Sequence, residues 1–523
     1  MKSKFMSAVE AVALIRDGDT VGLIGGGGGL LEASHVFAAV EQRFLQTRHP
    51  SALTVVHALG IGDKKTKGLN CFAHEGMVKR VIGGHWVWSP RMQALARDEK
   101  IEAYIVPGGV MSQLYREIGA GRPGLFTHVG LGTVCDPRQG GGKMNASAHA
   151  AKDELVELTH IDGRDYLRYK PFPVNVAIIR GSLADSEGNI CMDQESANLD
   201  AYAVALAAHN SGGLVIAQVR AAVEAGSMTA RQVRIPGAMV NAVVVDPAQA
   251  TSYDISYDAA LAGAGQGEPA PLEPAQPFTE RQAIARRAAR ELFEGAVVNY
   301  GVGVPDAVAK LVAQRGELDR ICQTIEHGTY GGTLLDGMLF GYARNPSAII
   351  DAPSQFDFYS GGGLDIAFLG FGEFDAQGSV NVSRLGGLTV GPGGFIDIAQ
   401  NARKVVFCGT FAAKGVVLKT GDGSLHVQRQ GSVRKLVRQV EQITFSGPQS
   451  LQRGQEVLFL TERASFRLTP AGVELFELAP GIDLQRDVLA QMDFVPLLAA
   501  NIMTMPAHHF EEMDHEKTCF ALD

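Results

Sequence analysis

The stretch Asp19-Thr-Val-Gly-Leu-Ile-Gly-Gly-Gly-Gly-Gly29 sets a run of glycines directly behind a short apolar, partly β-branched segment. β-branched residues suit a pleated strand and consecutive glycines suit a tight loop, so the segment reads as a strand that ends in a turn. Leu30 to Phe44 follows with helical periodicity, and Leu53-Thr-Val-Val-His57 with strand character. Strand, loop, helix, strand is the order of an α/β protein.

The same order recurs in the second half: Ala296-Val-Val-Asn-Tyr-Gly-Val-Gly-Val-Pro305, a helical Asp306 to Gln314, then Ile321-Cys-Gln-Thr-Ile325. A second pair of segments points the same way. Asn175-Val-Ala-Ile-Ile-Arg-Gly-Ser-Leu-Ala-Asp185-Ser-Glu-Gly188-Asn-Ile190 matches Asp365-Ile-Ala-Phe-Leu-Gly-Phe-Gly-Glu-Phe-Asp375-Ala-Gln-Gly378-Ser-Val380, with Asp and Gly at a constant offset of 190 residues. Each copy reads as a strand, an Asp-x-x-Gly turn and a returning strand. Between the halves, Ala262 to Pro277 carries four prolines and almost no large apolar side chain, the composition of a linker. Thr279 then caps a helix predicted through Phe293. The chain is thus expected to form two topologically similar open α/β domains, internally duplicated. Residues 1–264 and 279–523 are the domains and 265–278 the linker.

A length of 523 residues exceeds what one core serves, and 46% hydrophobic residues supply two. A net charge of -9 with scattered Lys and Arg offers no field for a polyanion, which argues against nucleic acid. No window approaches a membrane span, and Glu10 and Asp17 break the amino-terminal apolar stretch that an export signal would need. The cysteines Cys71, Cys135, Cys191, Cys322, Cys408 and Cys519 are far apart, with no CxxC and no metal-ligand spacing. They read as reduced thiols, so a cytoplasmic enzyme without a metal is expected.

The densest polar and glycine cluster behind a strand is Gln323-Thr-Ile-Glu326-His-Gly-Thr-Tyr-Gly-Gly332. Ligands of open α/β sheets bind beyond the carboxyl ends of strands, which places Glu326 for chemistry. Four segments, Gly301-Val-Gly-Val-Pro305, Thr324-Ile-Glu-His-Gly328, Gly361-Gly-Gly-Leu-Asp365 and Gly391-Pro-Gly-Gly-Phe-Ile-Asp397, resemble in order and spacing the class I, glutamate-dependent CoA-transferases. His74 to His85, Leu114 to Gly124, Gly130 to Pro137 and Ser211 to Val219 fit the same group, and the resemblance covers roughly residues 5 to 515. It is nearest in kind to the single-chain short-chain acyl-CoA, acetate or propionate enzymes.

The resemblance implies the CoA-transferase fold with the active site between two domains, and Glu326 as covalent nucleophile. A carboxylate attacks an acyl-CoA to give an anhydride, and the released thiolate then forms a glutamyl-CoA thioester. No cofactor is needed, since CoA itself is the transiently covalent substrate. It further implies an oxyanion donor at Gly393 or Gly394, worth about 2.7–4 kcal/mol, and glycine loops near CoA at Gly26, Gly27, Gly28, Gly301 and Gly303. Gln355 and Asn299 are weaker candidates for contact with substrate or CoA amides. Asp365 and Asp397 are expected to stabilise turns.

Two departures from the family bear on substrate: His327 follows the glutamate where relatives carry a small or amidic residue, and Gly108 stands where relatives have glutamine. Tyr330, Leu334 and Leu335 flank the acyl position, which favours a short chain. The expected partners are acyl-CoA and small carboxylic acids, in a homo-oligomer for which a tetramer is favoured. A hydrolase on the same fold differs only in admitting water. A dinucleotide-dependent oxidoreductase fits poorly, because Leu30 occupies the third glycine position and the second strand ends in His57 rather than an acid. A metabolite sensor would have no use for Glu326.

Overall fold

A computed structural model describes residues 3–264, 278–512, 516 and 518–520. The chain gathers into two units: the first takes the amino-terminal half with Ile325–Phe358 and Gly386–Asp397, the second takes the remainder. The linker expected at 265–278 lies outside the described residues, Phe278 excepted.

In the first unit the predicted strands become β1 (Thr20–Leu23) and β2 (Leu53–His57), joined by β3 (Val78–Gly83), β4 (Glu102–Ile105), β5 (Val176–Arg180), β6 (Leu214–Val219) and β7 (Ala242–Val245). They form a seven-stranded sheet in the order β7-β6-β5-β1-β2-β3-β4. Every neighbouring pair is parallel. All five side chains of β5 are buried, as a parallel strand covered on both faces requires. Strand order reverses between β5 and β1, so the Ile24 to Gly29 loop leaves the sheet at its topological switch point.

The helix expected at Leu30 begins at Ser34 and runs to Thr47. The delay has a local cause: the Gly26 N–H donates to Leu30 O (2.7 Å), and the Glu32 carboxylate accepts the Gly62 N–H (2.8 Å) and the Tyr253 hydroxyl. These bonds hold Leu30 to Glu32 in a turn in which Leu31 takes a left-handed φ of +53°. Arg48, in the left-handed region, ends the helix.

The second unit repeats the plan. Strands β8 (Val297–Tyr300), β9 (Cys322–Ile325), β10 (Ile366–Gly370), β11 (Lys404–Cys408) and β12 (Glu456–Leu460) lie in the order β9-β8-β10-β11-β12, all parallel. This matches β2-β1-β5-β6-β7 strand for strand. Ala464–Thr469 and Gly472–Leu478 then extend the sheet antiparallel. The connecting helix, Val304–Gln314, starts two residues before the expected Asp306, with Pro305 in its first turn and the Asp306 carboxylate accepting the Gly303 N–H (2.8 Å).

The duplicated turns agree down to single bonds. Asp185 Oδ1 accepts the N–H groups of Glu187 and Asn189, and Asp375 Oδ1 accepts those of Gln377 and Ser379. The Gly188 and Gly378 amides each donate to the carbonyl of their aspartate at 2.9 Å. Thr279 caps Glu280–Ala289, a helix shorter than the expected run to Phe293. The six cysteines are unbridged, five of them buried.

Candidate active site

Strand β9 delivers Glu326 as the residue immediately beyond its end, and the chain turns sharply there. The Gly328 N–H donates to Ile325 O (3.0 Å) and Gly328 has φ +110°. A Cβ at Gly328 would fall 2.2 Å from Ile350 O, so the turn admits only glycine. Beyond it, Thr329–Tyr330 pairs antiparallel with Ala348–Ile349.

The Glu326 carboxyl lies against the turn Gly391-Pro-Gly-Gly394. A Cβ at Gly394 would sit 2.2 Å from Glu326 Oε2 and 3.2 Å from Phe356 Cε1. Two segments of the first unit, Gly84 to Trp86 and Gly108, hold this turn through three backbone bonds. The Gly393 N–H donates to Gly84 O (2.7 Å), the Gly108 N–H to Gly393 O (2.6 Å) and the Trp86 N–H to Val390 O (2.8 Å). Asp397, just past the turn, accepts the Gly109 and Val110 N–H groups at 3.1 Å each, at the start of helix Gly108–Gly119. The Gly393 amide is therefore committed to Gly84, while the Gly394 amide has no partner among the described residues.

Glu326 is half-buried, with no ion pair among the described residues, and desolvation pushes its carboxyl up to about 7. Burial pushes Asp397 up to about 8, with the Gly109 amide opposing and the charge of Glu326 adding to the rise. His85 lies across the turn, its ring carbons within 4 Å of a Cβ placed at Gly393. Burial, with His57 and Lys64 nearby, holds His85 down at about 4, so its imidazole is neutral.

His327 is buried, with Nε2–H donating to Gly341 O (2.8 Å) and Nδ1 without a partner among the described residues. Gly108 lies at the same turn as Gly393. Gly26, Gly27 and Gly28 belong to the loop after β1. Trp88 fills the space a Gly27 side chain would need, with a Cβ there 2.1 Å from its ring. At Gly28 a Cβ would fall 2.0 Å from Met338 O, and Gly28 exchanges backbone bonds with Gly62 and Tyr253. Glu32 ties this loop to Gly62 and Tyr253, and burial pushes its carboxyl up to about 8. Gln355 is fully buried and its side-chain amide has no partner among the described residues. Gly301 and Gly303 belong to the second unit, where they flank the start of helix Val304–Gln314.

Asp365 accepts the Val297 N–H (2.9 Å) and pairs with Arg403 (3.2 Å), a purely structural setting. Asn299 bonds Thr324 O and Tyr359 OH within its own unit. Leu335 packs against the first unit's core, while Tyr330 lies 6.3 Å from the Phe358 ring, centroid to centroid. His508, His509 and Glu516 could hold a metal by spacing, yet Arg290 and Arg315 reach Glu516, and burial first, then the charges of His508, Arg290, Arg287 and Arg286, depress His509. That positive surrounding opposes a cation.

Sequence reasoning did not single out His57, His85 or Trp88. The one available signal was that both tryptophans of the chain fall within three residues, at 86 and 88.

The fold and site define a protein of the open α/β class, duplicated, with a carboxyl at a strand end against a glycine turn, and the comparisons say which family shares it. The family described as Coenzyme A transferase matches residues 5–246. The chain is 40% identical over 512 residues to the acetate CoA-transferase YdiF of Escherichia coli strain K12, covering 97% of this chain and 94% of that one. It is 43% identical over 519 residues to the caffeate CoA-transferase of Acetobacterium woodii, 98% of each. A crystal structure of the acyl-CoA transferase YdiF from E. coli O157:H7, a thioester complex with CoA, superimposes with a TM-score of 0.92 at 39% identity, over 98% of this chain and 96% of that one. The chain belongs to the coenzyme A transferase family and is a CoA-transferase. Among the described residues no helix is long and apolar enough to cross a membrane.

Proposed function

We propose that the enzyme moves CoA between a short-chain acyl-CoA and a free carboxylic acid such as acetate, propionate or acetoacetate, by a ping-pong exchange through Glu326. The observation that carries this is the placement of the Glu326 carboxyl against the Gly394 backbone, directly beyond β9. Attack by the carboxylate on an acyl-CoA carbonyl gives an acyl-glutamyl anhydride and CoA thiolate. The thiolate then attacks the glutamyl carbonyl, expels the acid and leaves a glutamyl-CoA thioester. An acceptor acid runs both steps in reverse. The leaving groups and nucleophiles are carboxylates and thiolates of comparable energy, so the chemistry calls for neither a metal nor an organic cofactor.

Each step builds an oxyanion, and Gly394 is the donor assigned to it, because the Gly393 amide already serves Gly84. Glycine there also gives the substrate room to approach the backbone. His327, bonded to Gly341 O, is assigned to holding the following loop rather than to touching substrate. The neutral His85 beside Gly393 is assigned to the acyl or carboxylate end of the substrate. The glycines at 26–28, 301 and 303, with Gln355, remain the candidates for contact with CoA. The acetate and caffeate relatives bracket a wide range of acyl size. Tyr330 and Leu334 support the short end. A homo-oligomer, tetrameric by preference, completes the proposal.

The test is intact-mass analysis of enzyme incubated with acyl-CoA, followed by borohydride reduction and peptide mapping. A CoA adduct and a reduced residue 326 are expected, and neither in Glu326→Ala. A panel of acyl-CoAs against acetate, with free CoA measured in parallel, separates transfer from hydrolysis. An alanine variant with full exchange activity would falsify the assignment.

A further inference from the structure

The exchange above removes a negative charge from a half-buried site whenever Glu326 becomes covalent, and it leaves a second buried carboxyl, Asp397, without a task. Asp397 is 1% exposed. Its two oxygens take the amides of Gly109 and Val110, which lie 288 and 287 residues away in the chain. With the Gly108 amide on Gly393 O, these bonds fasten the Gly391–Gly394 turn to the first turn of helix Gly108–Gly119. The Phe356 ring touches both carboxyl neighbourhoods. A Cβ at Gly109 would meet Phe356 Cδ1 at 2.3 Å and Asp397 Oδ1 at 2.6 Å, and a Cβ at Gly394 would meet Phe356 Cε1 at 3.2 Å and Glu326 Oε2 at 2.2 Å. Two carboxyls thus flank one aromatic ring.

We propose that Asp397 is a positioning residue that clamps the Gly391–Gly394 turn and gives up a proton to solvent each time Glu326 is converted to its neutral thioester, taking the proton back when Glu326 is released. The inference rests on the Glu326 exchange proposed above. Its balance is simple. In the free enzyme one carboxyl is ionised and the other protonated. Attack by the Glu326 carboxylate breaks the acyl C–S bond and sends the charge out with CoA thiolate. When the thiolate returns to the glutamyl carbonyl, the charge leaves for good on the expelled acid. Asp397 O–H then loses its proton to bulk water, and the new carboxylate is held by the Gly109 and Val110 amides.

Glu326, Cys135 and Tyr169 all interact with Asp397 through space. Burial drives Cys135 and Tyr169 far upward, so both stay protonated and neutral throughout. Glu326 at about 7 titrates before Asp397 at about 8, and the charge on Glu326 is one cause of the Asp397 rise. A covalent Glu326 carries no charge, so the Asp397 proton is then held less tightly.

The experiment mixes enzyme with acyl-CoA in weak buffer near pH 7.5 and reads proton release with an indicator dye, while intact mass counts the thioester. Proton release that grows with the thioester count is expected, reduced in Asp397→Asn to the share that Glu326 itself gives up on ionising. Infrared difference spectra of the unmodified enzyme give a second readout that needs no variant. A carboxylic-acid band that shifts in D2O should disappear as the thioester forms. Thioester without proton release, or release that is undiminished in Asp397→Asn, overturns the role of Asp397 while leaving the Glu326 exchange standing. Absence of any thioester overturns the exchange itself, and this inference with it.

Discussion

At the scale of the residue, the proposed exchange needs Glu326 ionised, yet its surroundings favour the protonated form, with a pKa pushed up to about 7 by desolvation. Desolvation also strips water from the nucleophile, so the same cause that delays ionisation sharpens the carboxylate once formed. kcat/KM for acyl-CoA is therefore expected to fall tenfold per unit below about pH 7, since it reports the free enzyme. A pH–rate profile flat from pH 5 to 8 would contradict this. Glu326→Gln keeps the shape and removes the nucleophile, and exchange should drop by about 10⁴-fold or more, measured as acyl-CoA formed in the presence of acetate. Glu326 stood out in the sequence as a candidate because its signal is local, a carboxylate at a strand end inside a glycine cluster. A turn-stabilising place was expected for Asp397, but its partners were not legible: they lie nearly 290 residues back, and no spacing rule joins Gly109 to position 397. His85 was hidden for the same reason, since its neighbour Gly393 comes from the other half of the sequence.

At the scale of the element, the site depends on glycines whose side-chain space is already taken. Gly394→Ala sets a Cβ 2.2 Å from Glu326 Oε2, and the carboxyl must move. A displacement on the order of 1 Å costs about 10²-fold in rate. kcat should fall by that order with little change in melting temperature, because Gly394 needs no left-handed backbone. Gly328→Ala is expected to behave differently: φ +110° and a Cβ 2.2 Å from Ile350 O strain the backbone itself. Stability should fall by about 1–3 kcal/mol or more, read by denaturant titration. Equal stability losses in the two variants would refute the distinction. Periodicity and β-branched runs located β1, β2, β5, β8, β9 and β10 and both connecting helices, but not the remaining strands of the two sheets. Helix starts escaped, as at Ser34, because Glu32 is held out of the helix by Gly62 and Tyr253, contacts from 30 and 221 residues away. Strand order escaped too, since nothing local states that Val21 pairs with Val176. Only the repeat showed that the two sheets share one order.

At the scale of the whole molecule, the buried titratable groups give stability a definite pH shape. Glu326, Glu32 and Asp397 are raised to about 7, 8 and 8. A carboxyl raised in the folded state binds its proton more tightly there than in the unfolded chain. The stability it lends is full below its ordinary pKa and is lost as pH climbs through the folded value. His57, His85 and His327 are lowered to about 4, so their contribution runs the other way, full above the ordinary histidine value of ~6.5 and lost as pH falls toward 4. The two sets oppose each other between pH 4 and 6.5. Above that only the carboxyls titrate, and the lowered Lys435, at about 8, acts only beyond pH 8. These carboxyls and histidines all belong to the first unit, so its unfolding transition should vary less between about pH 5 and 6.5, where the two sets offset each other, and lose about 2–4 kcal/mol from there to pH 8. Calorimetry across that range reads the decline directly. Glu326→Gln and Asp397→Asn should each flatten it, making the variants relatively more stable at pH 8 than at pH 6. A transition that instead strengthens steadily from pH 6 to 8 would mean that these carboxyls are ionised and compensated in the folded protein, and the raised pKa of Glu326 would have to be given up with them.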